Sequence, residues 1–102
     1  MDSFGITSNH IEKINSVFHQ YININEVILF GSRAKGNYRA NSDIDLAIKG
    51  KNINLTTLQE IENKLEDLYL PYYIDLIIYD TLNNSDLINH INRIGKQFYL
   101  SN

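Results

Sequence analysis

The 102-residue sequence has no cysteine, no tryptophan and a single proline, and it has no excess of positive charge. Without thiols it can build no disulfide framework, no thiolate zinc site and no cysteine nucleophile, and it is indifferent to the redox state of its compartment. Twelve acids against nine bases give a formal net charge of -3. A chain of that sign has no general attraction for nucleic acid or for an anionic membrane, so direct contact with either is not expected. Long apolar runs are also missing: the stretch near Leu68 to Ile78 is broken by Pro71 and Asp75, well short of the roughly 18 residues of a membrane span. Met1 to Gly5 lacks the basic and apolar regions of a signal peptide, and a cytoplasmic location is the expectation. What is present, 43% hydrophobic and 21% charged residues, is the composition of an ordinary folded domain. No repeat, linker or charge block divides it, so residues 1–102 are read as one domain.

Hydrophobic periodicity sets out the elements. Asn9 with Glu12 three residues on forms a capping box, and Ile11, Ile14, Phe18 and Tyr21 follow at helical spacing, which predicts a helix to about Tyr21. Val27 to Phe30 is a short apolar run closed by Gly31 and predicts a buried strand; Asp43 to Lys49, with Ile44, Leu46 and Ile48 alternating, predicts a second. Between them Ser32 to Tyr38 has room for two helical turns stopped by Gly36 and Asn37. Leu58, Ile61, Leu65 and Leu68, behind a cap at Thr56 or Thr57, predict a helix over residues 57–69 that Pro71 ends. Tyr73 to Tyr79 reads as a third strand. Ser85 caps a last helix carrying Leu87, Ile88, Ile91, Ile94 and Phe98, in which Gly95 marks either a close contact or an early end. The expected class is α/β, a small mixed sheet of about three strands flanked by about four helices.

Strand parity then gathers the chemistry. Residues i and i+2 share a face, so Asp43 and Asp45 project together, opposite the core row Ile44, Leu46 and Ile48. Asp75 repeats that parity near the start of the third strand. The helix joining these strands is the crossover a parallel pair needs, so their starts, and three carboxylates, come together. Like charges that close repel, and an all-oxygen cluster suits Mg²⁺ or Mn²⁺. Gly31 and Ser32, where the first strand turns into the short helix, form a candidate phosphate cradle, with Arg33 and Lys35 adding positive charge. A phosphate cradle facing metal-binding acids is what phosphoryl or nucleotidyl transfer requires, two cations about 4 Å apart serving the incoming and leaving oxygens.

Gly31-Ser32, ten residues, then Asp43-Ile44-Asp45 resembles the signature of the DNA polymerase β-like nucleotidyltransferase superfamily. Gly31-Ser32-Arg33-Ala34-Lys35-Gly36 with Ser42-Asp43-Ile44-Asp45-Leu46 is similar to its minimal nucleotidyltransferase (MNT) branch, as are Asp75 in Tyr73-Ile74-Asp75-Leu76 and the closing segment Ile91 to Tyr99 with its Gly95. Lys35 stands where that branch often has arginine and lacks arginine's planar fork. The resemblance implies a nucleotidyltransferase fold, two Mg²⁺ ions held by Asp43, Asp45 and Asp75 as metal-binding and catalytic residues, and ATP bound through Gly31, Ser32 and Arg33. It further implies AMP transfer to a tyrosine of a HEPN-domain toxin, which makes the chain an antitoxin in a hetero-oligomer. The alternative is a non-catalytic antitoxin that neutralises the toxin by binding.

Plainer readings stand beside these. Asn41-Ser42-Asp43 can be no more than a turn entering a strand, and Arg33 and Lys35 can be solvated helix charges. Asp80 is a rival to Asp75 but ends its strand, where capping a loop is the simpler role. His10, His19 and His90 have no acid or cysteine at ligand spacing and read as structural or exposed.

Overall fold

The computed structural model describes residues 2–101. A hairpin of β1 (Asp2–Ser3) and β2 (Ile6–Thr7) leads into α1 (Ser8–Phe18), followed by β3 (Ile24–Phe30), α2 (Gly31–Lys35) and β4 (Ile44–Gly50). Then come α3 (Leu55–Glu66), β5 (Ile74–Ile78), a 3-10 turn at Tyr79–Thr81, α4 (Ser85–Ile94) and β6 (Lys96–Leu100). The main sheet is ordered β5-β4-β3-β6, with β4 and β5 parallel and the other pairs antiparallel. Helix α3 is the crossover between the parallel strands, as its length requires. Among the described residues no helix is long and apolar enough to cross a membrane.

Both faces of the sheet are covered, and unequally. One carries Val27, Leu29, Ile44, Leu46, Ile48, Leu76 and Ile78, buried with Ile14, Val17 and Phe18 of α1 and Ile61 and Leu65 of α3. Each such side chain taken fully out of water contributes about 1.5–3 kcal/mol, so this layer holds the domain together. The other face carries Ile28, Phe30 and Ala47 under Ile91 of α4, with Ile77 and Leu87 packed alongside. Asp45 and Asp75 belong to this second face by parity, beyond the part that α4 closes.

The sheet has four strands where three were expected. The predicted last helix through Phe98 stops at Ile94, and the chain continues as β6, pairing Leu29↔Lys96 and Val27↔Tyr99. Gly95 decides this in both ways foreseen. It ends the helix, and a Cβ there would overlap the carbonyl of Ile91 and the side chain of Ile28, so the backbone passes too close to β3 for any other residue. Ile94 and Phe98, four apart, satisfy a helical period and a strand's alternation equally, and pairing with the exposed edge of β3 settled the choice.

Helix starts also moved. Thr7 caps α1 by accepting from the His10 amide at 3.2 Å, Asn54 caps α3 through the Thr57 amide at 2.9 Å, and Asn84 caps α4 through the Leu87 amide at 3.2 Å. The expected caps Asn9, Thr56 or Thr57, and Ser85 lie one to three residues further on; where several capping residues adjoin, the one at the end of the extended segment takes the role. The expected helix over 32–38 is the five-residue α2, ended at Gly36 in the left-handed conformation, φ 92°.

Candidate active site

Register builds the site. Phe30 pairs with Asp45 across β3 and β4, and Asp45 pairs with Asp75 across β4 and β5, so the end of β3, the first acid and the second stand side by side in one row. In a parallel pair, residues in register lie on the same face about 4.8 Å apart, so the two side chains are neighbours. Asp45 is half-buried and Asp75 exposed on the edge strand; Asp43, one residue before β4, is exposed. Burial raises the pKa of Asp45 first, and the charges of Asp75 and then Asp43 raise it further. All three causes act in one direction. Asp45 therefore feels the charge of both other acids that strand parity assigned to one place.

They do not close up into a ligand set. Among the described residues no group of three or more His, Cys, Asp and Glu side chains is arranged to hold a metal ion. The donor set is nonetheless hard oxygen throughout and so fits Mg²⁺ or Mn²⁺ in chemistry.

Beside Asp45 the chain makes the turn from β3 into α2. Gly31 sits at φ 75°, in the left-handed region, and a Cβ on it would overlap Asp45 Oδ2. Glycine is thus required twice, for conformation and for its approach to the carboxylate. Ser32 follows, half-buried. Phe30, at the N-cap of α2, offers no side-chain acceptor; instead the Gly31 amide donates to Nε2 of His90 on α4 at 3.1 Å. From the sequence His90 reads as structural or exposed. The available signal was its place on the inward stripe of the last helix, three residues after Leu87 and one before Ile91.

Arg33 differs from both readings made of it. It is neither a solvated charge nor turned to a ligand: it is 1% exposed, the one buried charged residue among those described. Its Nε and Nη2 donate to the Ser42 carbonyl at 3.1 and 2.9 Å, Nη2 also to Ala40 at 3.3 Å, and Nη1 to the carbonyl of Phe4 at 2.9 Å. The guanidinium lies over the rings of Tyr38 and Tyr72 at 5.3 and 5.4 Å. Its work is to fix the loop that delivers Asp43. Replacing Arg33 by alanine leaves three carbonyls without donors, and the expected loss is about 3 kcal/mol, a melting temperature lower by roughly 10 to 20 °C for a chain this size. An unchanged melting curve would refute that role. Lys35 is exposed on the last turn of α2. Asp80 is exposed in the 3-10 turn beyond β5, five residues past Asp75.

Comparison with known proteins places this arrangement. No curated protein sequence matches the chain significantly. Among solved structures, a chain of a toxin–antitoxin crystallised with AMP-PNP superposes with a TM-score of 0.73 at 24% identity, covering 89% of this chain and 73% of that one. A chain of a tri-AMPylated Shewanella oneidensis HEPN toxin in complex with its MNT antitoxin gives 0.67 at 20% identity, covering 91% and 71%. A chain of an MntA–HepT toxin–antitoxin gives 0.69 at 22% identity, covering 93% and 74%. At these identities the likeness is one of fold. The family model described as polymerase beta, nucleotidyltransferase, matches residues 12–102, nearly the whole chain, and with the glycine turn, the Asp-x-Asp strand and the third acid all inside that span, the chain belongs to the polymerase β nucleotidyltransferase family.

Proposed function

We propose that the chain transfers AMP from ATP to a tyrosine hydroxyl of a HEPN-domain toxin in the cytoplasm and acts as that toxin's antitoxin. The observation that carries the transfer reading is the in-register pair Asp45 and Asp75, with Gly31 packed against Asp45. Support for the partner comes from the fold it shares with chains of toxin–antitoxin complexes, one crystallised with AMP-PNP and one tri-AMPylated.

In this reading the residues divide the work. Gly31 and Ser32 hold the triphosphate, the glycine by letting the turn run close beside Asp45 and the serine by its hydroxyl. Asp43, Asp45 and Asp75 hold two Mg²⁺ ions, which when bound neutralise the acids and draw charge from the phosphate oxygens. Asp75 lies on the edge strand β5, the side open to an approaching protein. The acceptor hydroxyl forms a bond to the α-phosphorus as the bond to the pyrophosphate oxygen breaks, and its proton passes to the Asp75 carboxylate.

The test is co-expression with a HEPN-domain toxin followed by intact mass. The partner should be heavier by whole multiples of an AMP group, and in vitro the gain should need ATP and Mg²⁺. If toxicity is suppressed while the partner's mass never changes, neutralisation is by binding alone and the transfer reading fails.

A further inference from the structure

His90 lies outside the family motif, yet it makes a polar contact with the glycine turn. Leu87 and Ile91 of α4 pack on the second face of the sheet, and His90, on the same side of the helix, sets its ring edge-on to Phe30 with centroids 6.1 Å apart at 81°. From there Nε2 meets the Gly31 amide at 3.1 Å. An amide N–H can only donate, so Nε2 carries the lone pair and the ring proton is on Nδ1. The Gly31 amide is thereby tied to α4, at a position where φ is 75° and a Cβ would overlap Asp45 Oδ2. Without the imidazole acceptor this part-buried amide loses its partner on α4, and the turn beside Asp45 loses that tie.

We propose that His90 is a positioning residue: by accepting the Gly31 amide proton it holds the glycine turn against the Asp45 carboxylate. Its effect on rate rests on the transferase reading above; its effect on the turn does not.

Three variants of the full chain separate this from a packing role. His90→Gln places its side-chain oxygen at the reach of Nε2, His90→Asn falls one bond short, and His90→Leu keeps apolar contact with Phe30 but accepts nothing. In ATP-dependent modification of the partner, the Asn and Leu variants should show KM for ATP raised about tenfold with kcat changed less than about threefold, and the Gln variant should stay within about threefold of wild type in both. Without nucleotide, the Gly31 amide resonance should shift in the Asn and Leu variants and return towards its wild-type position in the Gln variant. An unmoved resonance in a folded Asn or Leu variant overturns the proposal, as does equal damage in all three. If wild type modifies no partner, the transferase reading fails, while the amide resonance and calorimetric titration with Mg²⁺–ATP still decide the role of His90.

Discussion

Asp45→Asn should lower ATP-dependent transfer by on the order of a thousandfold, equivalent to about 4 kcal/mol of barrier, because it removes the central carboxylate of the row formed with Asp75. Calorimetry with Mg²⁺ and ATP should show weaker binding than wild type, and equal binding would remove the metal assignment. The same substitution should raise stability at neutral pH when no divalent cation is present. Burial and then the charges of Asp75 and Asp43 lift the folded-state pKa of Asp45 above its unfolded value. The folded protein therefore holds that proton more tightly: the contribution is complete below the unfolded pKa and is lost as pH rises through the folded one. Ionised Asp45 is the destabilising form, and asparagine never ionises. With Asp45 partly exposed, solvent screening limits the gain at pH 7 to less than about 1 kcal/mol, a few degrees in melting temperature. It should shrink as the pH falls into the carboxylate range and vanish where wild-type Asp45 is protonated. A variant that melts below wild type at neutral pH would contradict the repulsion. In the binding-only reading, Asp43→Asn with Asp45→Asn leaves toxin neutralisation intact; in the catalytic reading it abolishes it.

Gly31→Val should abolish transfer, and the damage should begin at Asp45. The sequence made Gly31 part of a candidate phosphate cradle. The structure adds that the first carbon of any side chain there overlaps Asp45 Oδ2, at a φ of 75° that a β-branched residue strongly disfavours. Either Asp45 is displaced or the turn is remade, and a displacement of about 1 Å at a reacting centre is enough to cost about a hundredfold in rate. Gly31→Ala carries the same first carbon with less strain, so it is the cleaner variant: circular dichroism should show it folded, with transfer down by at least about a hundredfold. Wild-type transfer by folded Gly31→Ala would end the role assigned to this turn.

Local pattern was enough for much of this protein. Alternation in Asp43 to Lys49 fixed which residues of β4 face the core, since a strand has only two faces, and Ile44, Leu46 and Ile48 are all buried. The helix between two like strands fixed their parallel pairing, because no shorter connection can make one, and with it the neighbourhood of Asp45 and Asp75. Other features depended on contacts between segments far apart in the chain. Ile94 and Phe98 suit a helix and a strand alike; Gly95 ends the helix, and the edge of β3, some seventy residues earlier, makes Lys96–Leu100 a strand. Arg33 is a charge on a short helix until Phe4, Ala40 and Ser42 bring their carbonyls around it. The hydrogen bond of the His90 ring reaches an amide 59 residues away. Periodicity records which face a residue turns, and that is local. Where a hydrogen bond ends is decided by packing, because a buried donor takes whichever acceptor the fold brings within reach.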